Sequence, residues 1–172
     1  MDIKKALELE HTKENTERIV AYIGKNGERF DELMRIFFNS TIRNVQRASW
    51  VLGKVGEEQP QLLLPYQQKM IALLVQPTHD AVKRNIVRVF QFIETPEDLH
   101  GELIDNCFKL LMDRKQAVAI RAFCITVLDK HCKIYPELMG EFIAVLEAEK
   151  DYTTASFKSR AKKILKREMK RS

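Results

Sequence analysis

The sequence predicts an all-α chain: a short right-handed α-α solenoid of about four to five helix hairpins with a ~37-residue period. Three observations carry this. Gly and Pro number only six and five in 172 residues, too few for the turns of an all-β protein. Apolar residues recur at helical spacing. That helical face itself repeats, with anchors at Val45, Val82, Ile120 and Phe157, spaced 37, 38 and 37 residues apart.

Each anchor opens the same pattern. Four residues on stand Ser49, Ile86, Cys124 and Ala161; seven on, Leu52, Val89, Val127 and Ile164; eight on, Gly53, Phe90, Leu128 and Leu165. These offsets share one side of a helix. The template also fits at Thr16, followed by Val20, Ile23 and Gly24, which makes five copies of one buried helix. A second column, Arg47, Arg84, Arg121 and Arg160, is spaced 37, 37 and 39 and slips against the anchors. Burying an apolar side chain is worth about 1.5–3 kcal/mol, a surface ion pair about 0–1 kcal/mol. The apolar column is therefore expected to set the register.

Each of the last four copies follows another apolar stripe. These are Phe30, Leu33, Met34 and Phe37; Tyr66, Met70, Leu73 and Leu74; Leu103, Cys107, Leu110 and Leu111; and Leu138, Phe142, Val145 and Leu146. Pro60-Gln61-Leu62, Pro96-Glu97 and Pro136-Glu137-Leu138 mark helix starts, with Thr95 as a candidate N-cap. Short breaks at 39–41, 76–80, 113–116 and 150–154 join the members of each hairpin. Gly24 and Gly27 in "IGKNGE" read as helix termination. The organisation expected is a single repeat domain over 1–172. Capping helices occupy 1–29, and hairpins 30–56, 60–93, 96–132 and 136–170. A hairpin of this kind buries its apolar face only by stacking on its neighbours.

Three segments resemble a known class. "IRAFCITVL" (120–128) looks like the second helix of a HEAT repeat, with "VKRNIVRVF" (82–90) and "VQRASWVLG" (45–53) as relatives. Asp80 and Asp113 stand roughly where that family often carries an acidic residue. The resemblance implies the solenoid fold and leaves function open. "WVLG" (50–53) also approaches the tetratricopeptide signature, but one residue short and only once.

Several chemistries are excluded or lack support. No GxGxxG or Walker-type glycine loop is present. Cys107, Cys124 and Cys132 are odd in number and lack a CxxC spacing, so they read as reduced thiols, with a cytoplasmic location expected. The opening "MDIKKALELEHTKENT" has no apolar run suited to a secretory signal. His11, His79 and His100 read as isolated turn histidines, and His131-Cys132 diverge on a helix, so no metal and no cofactor is expected. Nothing in the sequence supplies a plausible base to activate a cysteine, and an enzyme is not the favoured reading.

Two surfaces remain. On the face away from the anchors, Arg43, Arg47, Trp50 and Lys54 form a cation-plus-aromatic stripe around the only Trp, continued by Asp80, Arg84 and Gln91. Such a stripe fits a protein-binding hot spot or a base-stacking platform. The second surface is the basic end. Residues 158–172 carry a net charge of +7, against −2 for the rest of the chain. There Lys158, Lys162, Lys163, Lys166 and Arg167 surround an apolar stripe and are candidate anion-binding residues. The expected function is a non-catalytic scaffold that binds another protein along its second-helix face. The alternative is a nucleic-acid-binding protein, similar in kind to HEAT-like DNA alkylation-repair proteins, with no catalytic residue carried over.

Overall fold

A computed structural model describes residues 1–152 and 154–170. Among the described residues there are ten α-helices, three short 3-10 segments and no strand. The helices are α1 (Ile3–Leu9), α2 (Lys13–Ile23), α3 (Gly27–Asn39), α4 (Ile42–Glu58), α5 (Gln67–Leu73), α6 (Asp80–Phe90), α7 (Glu97–Met112), α8 (Val118–Cys132), α9 (Met139–Glu149) and α10 (Ala155–Met169). Among the described residues no helix is long and apolar enough to cross a membrane. The chain forms two compact units, Met1–Thr95 and Pro96–Ser172, divided at one of the proline starts.

In the first unit α3 packs on α4 and α5 on α6, the expected hairpins, while α2, α4 and α6 form a row of second helices. Ile19, Val20, Ile23, Val51, Leu52, Val55, Val82, Ile86 and Val89 are buried along that row. One predicted anchor is out of place. Val45 is only half-buried, and Asn44, Ala48 and Ser49 turn inward beside it. The reason is polar. Asn85 Nδ2 donates to Ser49 Oγ at 3.0 Å and to the Ala81 carbonyl at 2.8 Å, so a buried amide fixes how α4 meets α6. Gly56 lies tight against α6, where an added Cβ would lie 2.9 Å from Val89 Cγ2.

The first helix is held by others. Seven residues are too few for a stable isolated helix. The carbonyls left open at the C-terminal end of α1 are closed by side chains. Asn15 Nδ2, from α2, donates to the carbonyls of Ala6 and Glu10, at 2.7 and 2.9 Å. Arg47, from α4, donates to those of Leu7 and Glu8.

The second unit is organised around Arg121, which is 2% exposed. Its Nε donates to the Leu111 carbonyl at the end of α7, and its Nη2 to Glu149 Oε2 at the end of α9, at 2.9 and 2.7 Å. Its guanidinium lies 5.2 Å from the ring centre of Phe157, the α10 anchor. Arg114 adds Nε and Nη2 bonds to the same carboxylate. These bonds to Arg114 outweigh the burial of Glu149 and, with the charges of Arg114 and Arg121, hold its carboxyl below the usual range. The arginine column is therefore not a surface feature at this position.

The helix starts differ from expectation at each proline. Pro60–Tyr66 and Pro136–Leu138 form 3-10 segments, and the α-helices begin only at Gln67 and Met139. Pro65 lacks the N–H that an α-turn would use there. Pro96 itself, not Thr95, occupies the N-cap of α7. Gly24 ends α2 at φ +49°, as its place in the sequence predicts, but Gly27 opens α3 behind Asn26, whose side chain accepts the Arg29 N–H. The break at 150–154 includes Thr153, which lies outside the described residues.

This packing sets stability at Glu149, Gly56 and Gly53. Glu149→Ala leaves the Arg121 guanidinium buried without its carboxylate, and should cost about 3–5 kcal/mol in urea unfolding. Because the Glu149 carboxyl titrates lower in the folded chain, its contribution is complete above the ordinary carboxylate range and is lost as the pH falls through the folded value. The gap in melting temperature between wild type and Glu149→Gln should accordingly narrow in acid. Gly56→Ala should destabilise by about 1–3 kcal/mol through crowding of Val89. Gly53→Ala, whose added carbon meets Asn85 Oδ1 at 3.4 Å, should cost less.

Candidate functional site

The stripe around Trp50 lies within the first unit. Arg43, Arg47, Trp50 and Lys54 are on α4, Asp80 and Arg84 on α6, and Gln91 caps the end of α6. Ser49 pairs with Asn85, and further along both helices Glu57 pairs with Arg88, so α4 and α6 run in the same direction. The face is therefore a pair of parallel rows.

Trp50 is the centre of it. The indole is 44% exposed. The His11 ring stands edge-on at 5.1 Å, and the Arg84 guanidinium lies 5.9 Å from the ring centre. A cation over an indole face contributes roughly 0.5–1 kcal/mol at exposed sites. The ring is thus braced on two sides while a large apolar surface still faces solvent. Burial, and then the nearby Arg47 charge, push His11 below its ordinary value, so it stands against Trp50 as a neutral ring at neutral pH.

The other predicted residues separate into two groups. Arg43 and Asp80 are exposed at the N-terminal ends of the two helices, and Arg84 is half-buried beside Trp50. Arg47, Lys54 and Gln91 have structural bonds. Arg47 closes the end of α1. Lys54 reaches Glu57 at 3.6 Å, and Glu57 also takes Arg88. Gln91 Nε2 donates to the Arg88 carbonyl at 3.0 Å. His11 was not among the residues expected here. It lies in the break between α1 and α2, where helical periodicity assigns no face, so no signal in the sequence pairs it with Trp50.

A family model described as the HEAT repeat domain matches residues 3–168. The chain belongs to the HEAT repeat family. No curated protein and no solved structure matches it. Asp113 accepts from Lys115 N and Gln116 Nε2 in its own turn. Acids elsewhere serve between helices: Glu57 for Arg88, Asp129 for Arg167, and Glu149 for Arg114 and Arg121.

The cysteines of this HEAT chain are buried. Cys107, Cys124 and Cys132 are free thiols inside the core. Burial raises the Cys124 thiol well above its ordinary value and the Cys132 thiol to about 11, so both stay protonated at neutral pH. His100 is not an isolated turn residue. Its Nδ1 lies 2.9 Å from the Tyr135 hydroxyl, and its ring meets buried His131 edge-on at 4.9 Å. His79 is the N-cap of α6. Among the described residues no group of three or more His, Cys, Asp or Glu is placed to hold a metal ion.

The basic end also divides. Arg167 Nη2 bonds Asp129 Oδ1 at 2.6 Å and its Nε bonds Glu168 at 2.7 Å. Burial raises the Asp129 carboxyl, but the Arg167 bonds and charge, with Lys133, more than offset this and hold it low. Arg167 therefore fastens α10 to α8. Lys158, Lys162 and Lys166 line a groove, and Lys163 is exposed away from it.

Trp50, as the only Trp, reports directly on His11. A protonated imidazole quenches indole emission more strongly than a neutral one. Emission should therefore fall on acidification with a midpoint below 6.5, and His11→Ala should abolish that titration. Persistence of that titration in His11→Ala contradicts the contact.

Proposed function

We propose that this HEAT repeat chain is a non-catalytic scaffold that binds a partner protein on the face formed by α4 and α6. The observation that carries this is the braced, half-exposed Trp50, with the Arg84 guanidinium beside it. Trp and Arg dominate binding hot spots because each presents a large surface at little further entropy cost when already held in place. Arg43 and Asp80 supply charges of both signs at the end of the same face, the polar rim that such a hot spot needs.

The charge distribution supports a protein over a nucleic acid. A phosphate track needs several unpaired cations in a row. Here Arg47 is bound to α1 carbonyls, Lys54 is bridged to Glu57, and Asp80 adds a negative charge to the row. The parallel helices hold these groups at fixed spacing, so recognition rests on a rigid pattern. A cytoplasmic location remains part of the proposal, supported by three free, buried cysteines.

The test is affinity capture from the source extract with the wild-type chain and with Trp50→Ala/Arg84→Ala. Arg47 is kept, since its loss would loosen α1. The double variant should retain its helical spectrum and lose the captured protein. Retention of that protein by the double variant refutes the choice of face. Labelled duplex DNA titrated at about 50 and 200 mM salt separates the alternative, because electrostatic binding must weaken steeply across that range.

A further inference from the structure

The groove along α10 has a shape and chemistry of its own. It has a volume of about 510 Å³ and is lined by Lys158, Ala161, Lys162, Leu165, Lys166 and Met169, together with Lys150 and Asp151. Lys158, Lys162 and Lys166 follow one another four residues apart, so their ammonium groups repeat about every 6 Å along one edge. Ala161, Leu165 and Met169 repeat at the same interval three residues on, and form an apolar floor beside that edge. Met169 is 80% exposed.

The three lysines of the edge differ from the basic groups around them. Arg167 is paired with Asp129 and Glu168, Lys133 with Asp129, and Lys150 with Glu147. Among the described residues no carboxylate is paired with Lys158, Lys162 or Lys166. Three unpaired cations beside an apolar floor require a complement that carries both an apolar row and a negative row.

We infer that this groove docks an acidic amphipathic helix from a partner protein. An α-helix offers an apolar ridge at i, i+4 and i+7, with carboxylates on the flanking positions at nearly the same rise as the lysine row. The ridge enters the groove, and the carboxylates face α10. Asp151, part of the same lining, repels a further carboxylate, and so favours a helix charged along one flank. A nucleic-acid backbone matches the lysines but places nothing apolar on Leu165 and Met169. A membrane surface is flat and leaves a concave floor unfilled. The groove belongs to the unit Pro96–Ser172 and the Trp50 face to Met1–Thr95, so each stands or falls on its own test.

The experiment uses the full chain and a fluorescein-labelled peptide of about 18 residues, with a leucine ridge and one glutamate flank. Binding is read by anisotropy. The peptide should bind, and Lys158→Glu/Lys162→Glu/Lys166→Glu should weaken it about tenfold or more. A charge-matched control, Lys4→Glu/Lys25→Glu/Lys115→Glu, should change it less than about twofold. Met169→Asp should also weaken it, because the floor takes part. Helical spectra confirm that each variant is folded. The inference is overturned by no binding up to about 100 µM peptide, by equal loss in the control, or by full binding to Met169→Asp. Tighter binding of a single-stranded oligonucleotide, or of phosphatidylserine vesicles, also overturns it.

Discussion

The second unit depends on one buried charge. Arg121 is set among four helices and could not remain there unpaired, since an isolated ion in the interior costs several kcal/mol. Glu149 supplies the opposite charge from the end of α9, the Leu111 carbonyl supplies an acceptor from α7, and the Phe157 ring supplies a π face from α10. Each of these partners belongs to a different helix. The guanidinium can be satisfied in only one relative arrangement of α7, α8, α9 and α10. Apolar burial drives the helices together, but it is tolerant of small rotations. The directional bonds of Arg121 are not, and they specify one arrangement among those that bury the same residues.

The same logic holds in the first unit with weaker groups. Here α1 ends in carbonyls that its own turns cannot satisfy, and α2 and α4 supply Asn15 and Arg47 to close them. Asn44 Nδ2 reaches back to Glu8 at 3.1 Å, and Asn85 joins α6 to α4 through Ser49. In each case a side chain from a later helix completes an earlier element. This is the hydrogen-bond counterpart of the way a repeat hairpin buries its apolar face. Within this unit the polar groups of one element are completed by the next.

Much of this was legible in the sequence. The anchors Val82, Ile120 and Phe157 are buried, and so are the stripes Phe30–Phe37 and Leu103–Leu111, because apolar spacing reports directly on the buried side of a helix. Val45 failed as an anchor because Asn44 is drawn inward by hydrogen bonds, and a polar residue at a core position is invisible to an apolar pattern. The proline starts failed in detail because proline permits a 3-10 turn as readily as an α-turn. At the candidate site, the placement of Trp50 and Arg84 on adjacent helices follows from the repeat. The His11 contact does not, since it joins a loop to a helix about 40 residues away. The arginine column shows the limit most clearly. Its members recur at nearly constant spacing, yet Arg47 closes a helix end, Arg84 covers an indole, Arg121 is buried, and Arg160 bonds Thr126 and the Ala122 carbonyl.

That divergence bears on how a charged repeat surface should be read. Periodicity assigns a cation to a face, but it cannot say whether the charge is already engaged. Arg47 and Arg167 looked equivalent to their neighbours on that criterion, and both hold helices together. A guanidinium can bond several carbonyl or carboxylate oxygens at once, so it readily becomes internal; a lysine ammonium is a strongly hydrated point charge. Lys158, Lys162 and Lys166 accordingly remain at a groove edge, while Arg121, Arg160 and Arg167 on the same pair of helices turn toward the protein. Arg43 and Arg84, the arginines left on the Trp50 face, are therefore the more informative ones. They are the positions where the fold has not already taken the charge for its own assembly.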